Sequence, residues 1–252
     1  NRLELFRKKR LTEISKRKGR AVKPSTVNRD VSNLRAMLNK AVEHTKIEVN
    51  PIGRIKLLEE NNVRERVLSQ DEFESLHLHC PPSLKGIVLI GFYLPMRQAE
   101  ILNLTWKEID LKMGFIRLGG ERTKNKIGRN IPLHPRIIEF LRACPRPIDG
   151  GYVFGNSRRF NRKAYNKAVE SAGIADFNFH DLRHCAINNM RLAGNDHFVI
   201  KQASGAKTDS AFQRYNLVTE QEMKSIKWLD EKSVKSGTMD TYMDTSTKTK
   251  IV

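Results

Sequence analysis

An apolar run, Ile87–Leu94, is the feature that most constrains how this chain can fold. A stretch this apolar has to lie in a protein core, and it is too short to cross a bilayer. It leads through Pro95 and Met96 directly into Arg97, so a guanidinium emerges from the core. One interpretation of this arginine is a structural salt bridge to Glu100, one helical turn on. The other is a polar functional site built on the edge of the core.

The net charge indicates the class of partner. The chain carries 46 Lys and Arg against 28 Asp and Glu, a formal net charge of +18. Residues 1–66 hold 18 of the basic and 8 of the acidic residues, a net charge of +10 in the first quarter. Such an excess predicts a polyanionic partner, because each neutralised phosphate releases a counterion. Nucleic acid is favoured over a membrane surface, since the basic residues are not tied to a strongly apolar helical face.

The cysteines and the N-terminus bear on location. Cys80, Cys144 and Cys185 show no pairing spacing, which predicts reduced thiols in a cytoplasmic protein. The chain begins at Asn1 without a signal peptide, and we interpret it as trimmed at its N-terminus.

Changes in composition, together with glycine and proline positions, divide the chain into four segments. Residues 1–60 predict a small basic helical domain, and the polar residues 61–67 a linker. Residues 68–235 predict a larger, mostly α domain with a small antiparallel β-sheet, so the fold class is mainly α. Residues 236–252, rich in Ser, Thr and Lys, predict a mobile tail.

Periodicity and capping signals place the elements within these segments. Ser69 followed by Glu72 forms a capping-box pattern, and Asn50 and Pro51 are expected to end a helix that begins near Ser25. Strands are predicted at 115–118 and 129–133, with Pro132 restricting the second to an edge or its end. The remaining helices are predicted at 2–18, 70–79, 83–94, 98–103, 135–143, 158–172, 181–193, 196–203, 209–214 and 220–233.

A second polar cluster places His180, Arg183 and His184 on one helical face. The two histidines have the spacing of a metal-binding pair, but a zinc-protease helix needs a Glu directly after the first His. Arg183 would also add positive charge beside a bound cation. An anion site is therefore favoured and no metal is predicted, since arginine can grip two phosphate oxygens and histidine can move a proton near neutral pH.

Four motifs, in this order and spacing, resemble those of the tyrosine recombinases, the family of phage integrases and Xer proteins. The resemblance covers nearly the whole chain, and residues 1–60 resemble the family's helical core-binding domain. It implies the tyrosine recombinase fold. The motifs are Met96–Trp106, which contains Arg97; Thr123–Lys126 ahead of strand 129–133, which contains Lys124; His180–His184, which contains Arg183; and Arg214-Tyr215.

The resemblance implies transesterification at a DNA phosphodiester. Tyr215 would attack phosphorus, form a 3′-phosphotyrosyl link and free a 5′-hydroxyl, with no ATP or other cofactor needed. Arg97 and Arg183 would stabilise the negative charge of the transition state. His180 would accept the phenol proton, and Lys124 would protonate the leaving oxygen. Glu100 and His184 are implied as supporting residues.

The sequence departs from the family pattern at one place. The family usually has Gly-His or Gly-Trp nine residues before the tyrosine, and here that position is Ala206. Neither His184 nor His197 is an aligned replacement. A methyl group cannot donate a proton to a phosphate, so the departure predicts an enzyme that is slowed and still active.

The resemblance also implies partners. Both domains would clamp double-stranded DNA, and helix 220–233 would pack on a neighbouring protomer in a homo-tetramer, with no membrane and no nucleotide cofactor. Three alternatives remain: an Xer-type recombinase, a type IB topoisomerase-like enzyme, and a non-catalytic DNA-binding regulator that has decayed at Ala206. Supercoil relaxation by a monomer would favour the topoisomerase, and unchanged function of Tyr215→Phe the regulator.

Overall fold

A computed structural model describes most of the chain in two compact units. The units comprise residues 1–66 and 67–252. The described residues are 2–15, 19, 21–60, 66–122, 128–147, 150–155, 159–206, 208, 212 and 223. Several predicted features lie outside the described residues. They are most of the linker predicted at 61–67, the segment with Lys124, most of the predicted helix 209–214, Tyr215, nearly all of the predicted helix 220–233 and the predicted tail 236–252.

The first unit is built on two helices, α1 (Arg2–Thr12) and α2 (Pro24–Glu43). Val31 is fully buried against Leu3 of α1 and Ile52 of the following segment, which gives this small unit its core. Pro24 suits the first turn of α2, where a backbone N–H would have no helical partner. Side chains then fix the segment after α2, since Asn28 exchanges two 2.8 Å hydrogen bonds with the backbone of Leu58.

Both helices of this unit are shorter than the sequence predicted. The helix α1 ends at Thr12, whose hydroxyl donates to the Lys9 carbonyl at 2.8 Å. The helix α2 ends at Glu43, well before Asn50, because Thr45 takes a left-handed conformation with φ of 54°. Asn50 instead fixes the next turn, accepting a 2.9 Å hydrogen bond from the N–H of Ile52.

The second unit packs its helices around one large core. The apolar run predicted to be buried forms α4, and its residues from Ile87 to Phe92 are all buried. Phe92 stacks on Phe73 of α3 with ring centroids 3.8 Å apart. The helices are α3 (Gln70–His79), α4 (Pro82–Tyr93), α5 (Gln98–Leu102), α6 (Pro135–Ala143), α7 (Arg162–Ser171), α8 (Phe179–Leu192) and α9 (His197–Ser204), with short 3₁₀ turns at Trp106–Glu108 and Gly120–Arg122.

A three-stranded antiparallel sheet lies in the second unit, in the order β1 (Ile109–Asp110), β2 (Phe115–Leu118) and β3 (Arg129–Pro132). Ile116 pairs with Ile131, and both are fully buried on the inner face. The prediction of a mainly α fold with a small antiparallel sheet is confirmed, including Pro132 at the end of an edge strand. The two-residue strand β1 was not predicted because it is too short to show a period.

Side-chain caps decide where several helices begin. The predicted capping box of Ser69 and Glu72 is present at α3. At α8, Asn178 and Asp181 form a second capping box, so the helix begins at Phe179 rather than at residue 181. The earlier start places His180 in the first turn of α8. Similarly, the side chain of Asn161 caps α7, which begins at Arg162 instead of residue 158.

Candidate active site in the second unit

The C-terminal end of α9 gathers three arginines from three different parts of the fold. The last carbonyls of a helix lack intrahelical partners and carry the negative end of the helix dipole, so they attract cationic donors. Three successive carbonyls are each bound by one guanidinium: Ala203 by Arg129 Nε at 2.9 Å, Ser204 by Arg183 Nη2 at 2.8 Å, and Gly205 by Arg97 Nη2 at 3.3 Å. The three arginine side chains of the site therefore meet at the C-terminal end of α9.

Arg97 lies at the N-cap of α5, where the buried α4 segment leads into it. Its backbone N–H donates to Glu100 Oε2 at 2.7 Å, and its Nη1 donates to Oε1 at 3.0 Å. The salt bridge considered from the sequence is therefore present. The side chain makes a further hydrogen bond to the carbonyl of Gly205, and 27% of its surface remains exposed. Arg97 thus combines a structural contact with an accessible guanidinium.

Glu100 is a buried carboxylate between two arginines. Its second partner is Arg129 of β3, whose Nη2 donates to Glu100 Oε2 at 2.7 Å. Burial alone would raise the pKa of Glu100, but the hydrogen bond and charge of Arg129, together with Arg97, lower it below its ordinary value. The carboxylate is therefore ionised at neutral pH.

Sequence reasoning did not identify Arg129 as part of the site, although a signal was available. Side chains alternate along a strand, so Arg129 and Ile131 of β3 share one face. Ile131 has to face the core, and Arg129 therefore points inward as well, where its side chain is only 2% exposed. A buried guanidinium needs acceptors for its donors, and the Glu100 carboxylate provides two of them.

Arg183 is also buried, with 4% of its surface exposed, on the inner side of α8. Its Nη1 donates to the carbonyl of Pro95, two residues before Arg97, and its Nη2 to that of Ser204. Arg183 therefore joins the entry to α5 with the end of α9. The two arginines predicted to act together lie at the same turn, although they are far apart in the chain.

His180 and His184 lie one turn apart on α8, with ring centroids 5.6 Å apart and nearly perpendicular planes. His180 is exposed and His184 half-buried, while Arg183 turns inward from the same helix. Partial desolvation, followed by the charges of Arg183 and Arg97, lowers the pKa of His180 despite the opposing charge of Asp181. His180 is therefore largely neutral at pH 7 and can accept a proton.

The departed position, Ala206, directly follows the turn that the arginines bind. Its N–H donates to Ser204 Oγ at 3.2 Å, and it packs beside Ile187 and Ile200. Gly205 before it has φ of +65°, and a Cβ there would lie 2.9 Å from Arg129 Nη1. Position 205 thus needs a glycine for its backbone conformation and for the arginine above it.

Gly205→Ala is therefore expected to destabilise the protein more than the same change at Gly194. Both glycines have positive φ, but a Cβ at Gly194 would meet nothing within 4 Å. The left-handed conformation costs an alanine about 1–2 kcal/mol at either position. Displacing Arg129 from Glu100 should add at least about 1 kcal/mol at Gly205. Urea unfolding of the two variants measures this difference, and equal losses would contradict the packing described here.

Two predicted site residues, Lys124 and Tyr215, lie outside the described residues. Within the described parts of the chain, no group of three His, Cys, Asp or Glu side chains could hold a metal ion. The same parts contain no helix long and apolar enough to span a membrane.

Comparison with known proteins identifies the family. Residues 66–222 match the model of the phage integrase family, and the chain belongs to that family. It is 31% identical to a shufflon-specific DNA recombinase of Escherichia coli over 83% of this chain and 55% of that protein. It is 27% identical to the integrase of Salmonella phage P22 over 73% of this chain and 52% of that one. The chain thus spans about half the length of these curated relatives.

Solved structures agree on the fold. The XerA recombinase aligns with a TM-score of 0.53 and 19% identity, covering 88% of this chain and 85% of that one. The Tn1549 transposon integrase in complex with circular intermediate DNA gives a TM-score of 0.63 at 18% identity, over 88% and 83%. A lambda integrase dimer bound to a COC′ core site gives 0.62 at 19%, over 82% and 77%. At these identities the likeness concerns the fold.

Proposed function

We propose that this chain is the core of a site-specific DNA recombinase, the integrase of a phage or other mobile element, that cuts and rejoins DNA through a 3′-phosphotyrosine on Tyr215. The observation that carries the proposal is the placement of Arg97 and Arg183 at one turn, Ser204–Gly205. Backbone carbonyls hold both guanidiniums at this turn, and the Arg97 side chain is 27% exposed, so positive charge is concentrated where a phosphate can approach. Membership of the phage integrase family supports the same reaction.

The proposed chemistry needs positive charge that is already in place. When the tyrosine oxygen attacks phosphorus, negative charge grows on the non-bridging oxygens. Arg97 and Arg183 would meet it without reorganising, because Glu100, Pro95 and the end of α9 hold them. The proposed roles of these arginines are therefore binding and stabilisation.

Proton transfers complete the proposed cycle. His180 takes the proton of the Tyr215 hydroxyl as the new P–O bond forms. Lys124 gives a proton to the 5′-oxygen as the old P–O bond breaks. A 5′-hydroxyl from another strand reverses both steps, so the bond energy is conserved in the covalent link. Glu100 and His184 support the site by orienting Arg97 and flanking His180.

The lowered pKa of His180 predicts a pH profile. A base must be neutral to act, so the rate should fall as pH drops through the pKa of His180. Because that pKa lies below the ordinary 6.5, single-turnover cleavage should keep most of its rate at pH 7 and decline with a midpoint below 6.5. His180→Asn should remove this limb and His184→Asn should keep it. A midpoint at or above 6.5 would contradict the environment described for His180.

The proposed partner is double-stranded DNA, held by both units in the cytoplasm and by four copies in the recombining complex. An apolar groove between α4, α8 and α9, lined by Phe92, Met190, Phe198 and Val199, supports the assembly. Phe198 is 74% and Val199 61% exposed. We propose that segment 220–233 of a neighbouring copy, which the sequence predicts to be a helix, occupies this groove.

The experiment that tests the function is covalent capture on a library of DNA sites with a nick near each candidate cut. The nick releases a short fragment after cleavage, so the adduct accumulates. We expect a DNA-linked peptide that contains Tyr215. No adduct after long incubation would refute the proposal. Relaxation of supercoiled DNA by a monomer, with no recombinant products, would favour a type IB topoisomerase-like enzyme instead.

A further inference from the structure

We propose that Arg129 is a positioning residue of this site, an inference that rests on the proposed function. Arg129 is buried, and each of its guanidinium nitrogens has a partner within the second unit. Its Nη2 and Nη1 donate to the two oxygens of Glu100 at 2.7 and 3.3 Å, and its Nε to the Ala203 carbonyl. One rigid fork therefore joins β3, α5 and the end of α9.

The first consequence is electrostatic. Both oxygens of Glu100 accept hydrogen bonds from Arg97. If Arg97 were its sole cationic partner, the carboxylate would cancel the positive charge of the Arg97 guanidinium. Arg129 supplies the compensating second positive charge on the same carboxylate. The three groups together keep a net charge of +1, and Arg97 is the partly exposed member. Arg129 thus allows Glu100 to hold Arg97 in place without neutralising it toward a phosphate.

The second consequence is geometric. Arg129 binds Ala203, directly before the two residues whose carbonyls hold Arg183 and Arg97. Gly205 lies so close beneath it that an added Cβ would come within 2.9 Å of Arg129 Nη1. The position of the turn, and with it the orientation of Arg97 and Arg183, therefore depends on the Arg129 fork.

Arg129→Lys is the variant that isolates this role. It keeps the positive charge beside Glu100, but an ammonium cannot reproduce the planar fork that spans Glu100 and Ala203. Arg117→Lys is the matched control, because Arg117 lies on the neighbouring strand, is 48% exposed and pairs with Asp110. Both changes replace one arginine of the small sheet, and only one of them reaches the end of α9.

The experiment compares two nicked DNA substrates, one with an ordinary phosphodiester at the cut site and one with a methylphosphonate. The methyl group replaces a charged non-bridging oxygen, so the aim of the arginines matters less. Arg129→Lys should slow single-turnover cutting of the phosphodiester by about 10- to 100-fold, in the range of a weakened oxyanion contact. On the methylphosphonate its rate should stay within about threefold of the parent. Arg117→Lys should match the parent on both substrates.

The outcomes separate this inference from the proposed function. If the parent cuts neither substrate, the proposed function fails. If the parent cuts and Arg129→Lys behaves like Arg117→Lys, the positioning role is refuted. Equal slowing on both substrates, or loss of folding by Arg129→Lys in a thermal melt, would show a purely structural residue and overturn the inference as well.

Discussion

Tyr215→Phe is expected to abolish covalent capture of DNA while leaving DNA affinity within about twofold. The change removes the one hydroxyl oxygen that forms the proposed phosphotyrosyl bond. We expect the cutting rate to fall by at least about 10⁴-fold, as for the removal of other enzyme nucleophiles. A nicked DNA substrate with denaturing electrophoresis measures the adduct, and a filter-binding titration measures the affinity at one fixed salt concentration.

The most demanding control for this prediction is Tyr152→Phe. Tyr152 lines the same shallow cleft as Arg97 and Glu100, so it is a described tyrosine that could compete as the nucleophile. Tyr165 is a poorer rival, since it is buried and burial raises its pKa far above the ordinary value. We expect Tyr152→Phe to retain the adduct. If the Tyr215→Phe variant still formed an adduct and the Tyr152→Phe variant formed none, Tyr152 would take the proposed role of nucleophile.

Local patterns predicted the elements of the second unit well. The apolar run before Arg97 forms the buried α4, and the capping box of Ser69 starts α3, because both signals depend on residues close in the chain. The boundaries were less accurate where a local capping pair was not recognised in the sequence. The capping pair of Asn178 and Asp181, for example, begins α8 earlier than its apolar pattern indicated.

The arrangement of the site depends on contacts that no local pattern contains. Arg97, Arg129 and Arg183 belong to α5, β3 and α8, and they meet only because the fold brings the end of α9 to all three. The motifs singled out Arg97 and Arg183 individually. The inward face of β3 pointed to Arg129, but its partner Glu100 is 29 residues away in the chain. Long-range pairing of this kind becomes visible only in three dimensions.

The position of Ala206 makes it the most informative place for a gain of function. Ala206 follows Gly205, whose carbonyl accepts from Arg97, and its own N–H is held by Ser204 Oγ. A side chain that starts here therefore begins beside the proposed phosphate site, on a backbone that is already fixed. Loss of one donor to a developing oxyanion typically costs about 10²–10³ in rate. The alanine leaves such a donor out.

Ala206→His is therefore expected to accelerate single-turnover cutting of a nicked DNA substrate by about 100-fold, because an imidazole N–H can donate to a non-bridging oxygen. Ala206→Leu is the control: it adds comparable bulk beside Ile187 and Ile200 but offers no donor. Its rate should equal or fall below that of the parent. A histidine variant no faster than the leucine variant would mean that Arg97 and Arg183 already satisfy the phosphate. The site would then need no phosphate donor at position 206, and the alanine would not reduce its activity.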